Sequence, residues 1–353
     1  MESIQELLRK LCNCIVKSDD GLNYITTNKQ DIPEPGPDPE PEKPDLDKFD
    51  PNVPFCIENV GDEPVVFCAY NYSRAARSYC EISYDNKVWN TYELKLSSSL
   101  RPPTDISKIN LIALANKGDR VYLKMDDYTN NTGRTIFYFL NDNQGIKVRA
   151  RGNIASLNYG KNDAYKTNYL EIDESHADCY DSMFYGCASL TQAPELPATT
   201  LADYCYQSMF SKCTSLTQAP ELPATTLASR CYAIMFSECT SLTQAPELPA
   251  TTLARGCYAN MFQYCTSLVK APDLPAPIIS SDNDYQEMFK GCRSLNYIKC
   301  LATQVMNASS SYIRFTNWVY DVSSTGDFYC IKDTLWRIAE DGIPSGWTRH
   351  DIT

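Results

Sequence analysis

Between residues 177 and 300 the pattern of apolar and polar positions repeats every 26 residues. The unit CYQSMFSKCTSLTQAPELPATTLASR starts at Cys205, and near-copies of it start at Cys179, Cys231 and Cys257. A degenerate copy, DYQEMFKGCRSLNYIKC, starts at Asp284 after one inserted residue, and LTQAPELPATTLA is identical in the first three copies. A period of this length marks a repeat array, in which each unit buries its apolar face only by stacking on its neighbours. Within the unit, Leu201, Cys205, Met209 and Cys213 stand four apart with Tyr206 and Phe210 alongside, which predicts one apolar helical face. Thr199 or Thr200 is the expected N-cap, and the helix should end near Cys213. SLTQAPEL then predicts a short strand, broken at Pro220 because proline has no amide to donate. The expected fold class is an α/β solenoid with one strand and one helix per repeat, a parallel sheet on one side and a row of helices on the other.

Upstream the period changes. PVVFCAY (64–70), YCEISYD (79–85), RVYLKMD (120–126), TIFYFLN (135–141) and GIKVRAR (145–151) alternate apolar and polar residues. Strands so short and so spaced predict an antiparallel β-sandwich-like domain over 55–151. GNIASLNYG (152–160) reads as a divergent first strand of the solenoid, which is expected over 152–300. Ile4, Leu7, Leu8, Leu11 and Ile15 predict an N-terminal amphipathic helix within 1–30. An acidic, proline-rich linker follows over 31–54; its segment 31–45 holds six prolines and should be extended and semi-rigid. Residues 301–353 break the period, carry Trp318, Trp336 and Trp347, and are expected to cap the exposed end of the array.

Composition narrows the function. Apolar residues make up 43 % of the 353, enough for a sizeable core. The net charge of −12 argues against a nucleic-acid partner, which favours a basic face. Residues 31–50 alone hold eight acids against Lys43 and Lys48, half of that charge. No apolar run is long enough to span a membrane. Glu2 and Glu6 stand where a signal peptide has its basic region, so none is expected in this chain.

Candidate chemistry is sparse. His176 and His350 sit in no catalytic motif, and no nucleophile elbow, P-loop or dinucleotide fingerprint is present, so the protein is expected not to be an enzyme and to need no cofactor or metal. Cys205, Cys231 and Cys257, with Cys213, Cys239 and Cys265, recur with the period; so do Met209, Met235 and Met261. Cysteine is among the most buried residue types, so these rows predict a core ladder of free thiols rather than disulfides or zinc. Tyr206, Tyr232 and Tyr258 are expected on the flank, ring buried and hydroxyl wet. The expected binding face is the repeated strand: Thr191, Thr217, Thr243 and Val269 should align, as should Gln192, Gln218, Gln244 and Lys270. Repeated polar groups suit a repetitive ligand; recent duplication explains the same identity. Glu195, Glu221, Glu247 and Asp273 form a further row, read as a solvated acidic edge.

The unit MF-x-x-C-T-S-L-T-Q-A-P-E-L-P-A-T-T-L-A, followed by x-x-C-Y, resembles the BspA-like, or Treponema pallidum-type, leucine-rich-repeat family. SLNYIKCLAT (294–303), TNWVYDVSSTGDF (316–328) and GIPSGWT (342–348) resemble the tail of such proteins in anaerobic gut bacteria and their phages. The resemblance implies surface recognition of a host glycan or protein, by a virion appendage such as a tail or head fibre, or by a cell-surface adhesin; a carbohydrate-binding accessory module is a further alternative. The location implied is the virion, or the extracellular space and cell surface. With its helix and stiff linker, the N-terminus is expected to dock on a larger assembly or to self-associate.

Overall fold

A computed structural model describes residues 15–17, 23–25, 49–72, 78–97, 111–125, 134–140, 145–157, 166, 169–172, 174–279, 283–303 and 315–353. Fifteen strands run through them: β1 (Ile15–Lys17), β2 (Asn23–Ile25), β3 (Cys56–Asn59), β4 (Val65–Tyr72), β5 (Ser78–Ser83), β6 (Asn90–Ser97), β7 (Ile112–Leu114), β8 (Arg120–Met125), β9 (Arg134–Phe139), β10 (Val148–Arg151), β11 (Leu190–Gln192), β12 (Lys270–Leu274), β13 (Tyr297–Cys300), β14 (Asp327–Ile331) and β15 (Thr348–Ile352). The described residues contain no α-helix, only the 3₁₀ turns Ile154–Leu157 and Glu174–His176.

Two expectations fall with that finding. Ile15, placed on the N-terminal helix, lies in β1, which pairs antiparallel with β2; Ile4 to Leu11 and the proline-rich segment lie outside the described residues. The larger correction is the α/β solenoid itself, because no repeat contains a helix. Over residues 203–213 the chain instead makes a run of turns. Alternate amides close turns within the layer: Gln207 to Tyr204 (3.0 Å), Met209 to Tyr206 (3.3 Å), Ser211 to Ser208 (3.1 Å) and Cys213 to Phe210 (3.0 Å). The intervening amides point along the array and donate to the next layer: Tyr206 to Cys231 (3.0 Å), Ser208 to Ala233 (2.9 Å), Phe210 to Met235 (3.0 Å) and Lys212 to Ser237 (2.8 Å). Every fourth residue is left-handed, with φ of 59° at Tyr204, 54° at Ser208 and 66° at Lys212. Each such residue reverses the winding, so the segment lies flat and never closes the i to i−4 bonds of a helix. Thr200 is no N-cap; it bridges to Glu171 and Thr226 in the adjoining layers.

The layers stack as the 26-residue period requires. Phe184, Phe210, Phe236, Phe262 and Phe289 form one column with ring centroids 5.6–5.9 Å apart. Tyr180, Tyr206, Tyr232, Tyr258 and Tyr285 form a second, at 5.4–6.1 Å. Trp318 closes both columns, 6.3 Å from Tyr285 and 6.1 Å from Phe289. The array also runs on past 301: β12, β13, β14 and β15 form one parallel sheet in that order, so the tail adds further layers to the array.

At the other end, β11, β10, β3, β8, β5, β6, β4 and β7 neighbour one another in that order, with β9 on β4. Pairing is antiparallel except for β10 with β11 and β4 with β6. Strand alternation sends Val65, Phe67 and Ala69 of β4 into the main core. That core continues without a break into the repeats, through Phe137 stacked on Phe184 at 5.4 Å. Residues 154–157, expected to open the solenoid as a strand, form the 3₁₀ turn; Gly152 before it has a φ of 78°, and a Cβ there would meet the Pro54 carbonyl oxygen at 2.3 Å.

Candidate binding faces

Each layer has two faces, and the strand face holds the residues expected to bind. Leu216 and Leu222 are buried and anchor the segment, which leaves Thr217, Gln218 and Glu221 exposed. Gln218 bridges in parallel to Gln244, and Gln244 to Lys270. Gln192, in β11, lies opposite Arg149 of β10, and its side-chain oxygen accepts a bond from Arg151 at 3.3 Å. Beyond Lys270 the rank continues through Tyr297, Asp327 and Thr348. Thr217, Thr243 and Val269 are exposed beside it, whereas the Thr191 hydroxyl donates to the Val148 carbonyl at 2.9 Å. The Thr243 hydroxyl makes a longer bond of the same kind, to the Thr217 carbonyl at 3.5 Å. In the neighbouring rank, burial pushes the Glu195 carboxyl above its ordinary range, and the negative charge of Glu221 adds to the shift.

The far end of this face holds an aromatic group that the repeat pattern does not announce. Tyr297 and Tyr329 have ring centroids 5.1 Å apart, and His350 stacks on Tyr329 at 4.5 Å. Lys270 Nζ lies 4.8 Å from the Tyr297 centroid, and His350 Nε2 is 2.7 Å from Asp327 Oδ1. The spacings from Tyr297 to Tyr329 and from Tyr329 to His350 are unequal, so no sequence period points to them.

The core ladder separates into two kinds of thiol. Cys205, Cys231 and Cys257 are buried and raised in pKa by burial, Cys231 to about 12. Cys213, Cys239 and Cys265 are buried as well, but each thiol donates to the carbonyl of the phenylalanine one layer back: Phe184 (3.1 Å), Phe210 (3.0 Å) and Phe236 (3.0 Å). Cys292 does the same to Phe262 at 2.9 Å. Met209, Met235 and Met261 are all fully buried in equivalent surroundings. All cysteines among the described residues are free. The tyrosines are corrected: Tyr206, Tyr232 and Tyr258 are buried hydroxyl included, and the Tyr258 hydroxyl has no hydrogen-bond partner.

The second face lies on the turn column, where residue pairs 203–204, 207–208 and 211–212, partly exposed through Asp203, Tyr204, Gln207 and Lys212 but with Ser208 and Ser211 buried, alternate with the buried apolar pairs 205–206 and 209–210. A cleft opens on it across three layers, lined by Arg230, Ile234, Arg255, Asn260, Asn283 and Gln286 among others. Nothing in the sequence periodicity marked this cleft, because its lining residues differ from copy to copy. Among the described residues no group of His, Cys, Asp and Glu could hold a metal ion, and no helix is long and apolar enough to cross a membrane. No protein-family model, curated protein or solved structure matches the chain.

Proposed function

We propose that the protein is a non-catalytic recognition module of the BspA-like kind, whose strand face binds an extended, repetitive ligand, a host-surface glycan. The observation that carries this reading is the exposed rank Gln218, Gln244 and Lys270, held in register by parallel pairing, with Gln192 at the equivalent position of the first layer. Gln218 and Gln244 offer the same carboxamide donor and acceptor, repeated at the strand spacing of about 4.8 Å, while the Gln192 oxygen already accepts from Arg151. A chain of like sugars can meet such a rank with the same contact at every step. The setting implied by the family resemblance is a virion appendage or a cell-surface adhesin. A glycan array probed with the full chain tests the reading. Binding to a polysaccharide should be lost in the Gln218→Ala/Gln244→Ala double variant; absence of any glycan hit, or a hit the double variant retains, overturns it.

A further inference from the structure

Copies 177–202, 203–228 and 229–254 differ at seven of their 26 positions. Six of the seven are the turn-column pairs: from the second copy to the third, Asp203 and Tyr204 become Ser229 and Arg230, Gln207 and Ser208 become Ala233 and Ile234, and Lys212 becomes Glu238, while Ser211, kept as Ser237, is Tyr185 in the first copy. The strand side is unchanged, although Thr217, Gln218, Glu221, Thr225 and Thr226 are exposed. Recent duplication explains why copies are alike. It does not explain why the differences gather on the turn side, where several of the varying positions are half-buried or buried, while the more exposed positions on the strand side stay fixed.

Backbone geometry supplies a second observation. Positions 204, 208 and 212 and their equivalents are left-handed, where glycine or asparagine is least strained. Gly186, Gly256, Asn260, Asn283 and Gly291 meet that preference, but Tyr204, Lys212, Arg230, Ile234, Glu238 and Tyr264 stand at other such positions with φ between 54° and 66°. Ile234, β-branched, has a φ of 61°, an outlier for its residue type. Side chains retained against backbone preference are there for what they touch.

The cleft is the third. Every residue lining it, from Arg230 to Gln286, occupies one of the turn-pair positions. Gly256 deepens it, since a Cβ there would lie 3.4 Å from Arg230 Cγ. Neither Arg230 nor Arg255 forms an ion pair with the described residues, while Asp284 behind the cleft is buried and accepts a bond from the Gly256 amide at 3.0 Å. Asn260, Asn283 and Gln286 line the same cleft, the Asn260 amide donating to Glu287 Oε2 at 3.2 Å.

We propose that the turn face is a second recognition surface, diversified layer by layer for an aperiodic protein partner, and that the cleft between Arg230 and Arg255 seats a carboxylate side chain of that partner. Layers that differ from one another match a surface without a repeat, which is a protein's rather than a polysaccharide's. Guanidinium groups bind carboxylates through paired, charge-assisted hydrogen bonds. Arg230 and Arg255 give the cleft a local positive charge within a chain whose net charge is −12, and so a site complementary to an acidic side chain.

The test uses the full chain and an oligoglutamate peptide, with polygalacturonate as the uronate control, in calorimetric titration. The peptide should bind more weakly as salt rises. Arg230→Ala and Arg255→Ala should each weaken it about tenfold, the loss of a charge-assisted bond, with an unchanged melting temperature because both side chains are exposed. Gln218→Ala/Gln244→Ala should leave peptide binding intact, which separates this surface from the glycan rank. No binding of the peptide, binding indifferent to both arginines, or equal affinity for polygalacturonate through the same arginines would overturn the proposal.

Discussion

The turn column and the strand of a single repeat hold the layers together to very different degrees. Residues 204–212 send an amide to the next layer at every second position. Residues 216–222 contribute a single parallel bridge, at Gln218, with Thr243 reaching the Thr217 carbonyl at 3.4 Å. Pro220 and Pro223 explain the poverty of the strand, since each lacks a donor. In these copies the turns join the layers and the strands add little to the joint, the reverse of a repeat in which a continuous sheet joins the copies.

The largest effect that distinguishes the two should come from alkali. In the first four layers, every buried thiol and phenol belongs to the turn column. Burial raises the thiols of Cys231 and Cys239 from an ordinary 9.0 to about 12. Below pH 9 both the folded and the unfolded chain keep these protons, and the stabilisation is complete. As pH climbs from there toward 12, the unfolded chain releases protons that the fold retains, so stability falls. Melting temperature followed from pH 8 to 11 should drop steadily; a flat profile would show that the thiols are not sealed in.

Proline placement should come next. Ser208→Pro removes an interlayer donor and cannot adopt a φ of 54°, and it should cost about 3 kcal/mol or more in denaturant unfolding. Thr217→Pro, at an amide that donates to no described carbonyl, should cost less than half as much. Equal losses would mean that the strands bind the layers after all. Of smaller effect, Cys239→Ala should destabilise by about 1–2 kcal/mol, because the Phe210 carbonyl loses a donor in a buried site. Finally, Glu238→Gly should stabilise the fold by about 1 kcal/mol, since glycine relieves the left-handed φ of 62°; a loss in stability there would show that the side chain serves the fold rather than a partner.

The sequence reveals the array and the sheet domain but conceals what the repeat is made of. Strands over 65–72, 78–83 and 120–125 follow from alternation of period two, which survives in the structure. The stacking follows from the 26-residue period, and the buried cysteine rows follow from the stacking. The helix reading fails on a finer point of spacing. A helix advances about 40° beyond a full turn in four residues, so a genuine helical face mixes steps of three and four. Here the buried apolar residues come as the adjacent pairs 205–206 and 209–210, with 213 next, at an unbroken step of four. That pairing belongs to a four-residue turn. Its usual sign, a glycine or asparagine at each left-handed position, is missing because Tyr204, Ser208 and Lys212 stand there. The Tyr297, Tyr329 and His350 group stayed hidden because the loops between the last strands vary in length, and only coordinates bring the three side together.

Every interlayer backbone bond in the turn column runs the same way, from the amide of one copy to the carbonyl of the next, while the thiols of Cys213, Cys239 and Cys265 donate back to the copy before. The first copy is closed off, for its Met183 carbonyl already receives the Phe137 amide and its Ser189 carbonyl the Val148 amide. A new copy slipped between two old ones would accept what its predecessor offers and offer what its successor accepts. Lengthening by unequal genetic exchange therefore creates no chemical mismatch at the seam, and a gene of this kind can gain or shed whole turns of the ladder while its product still folds.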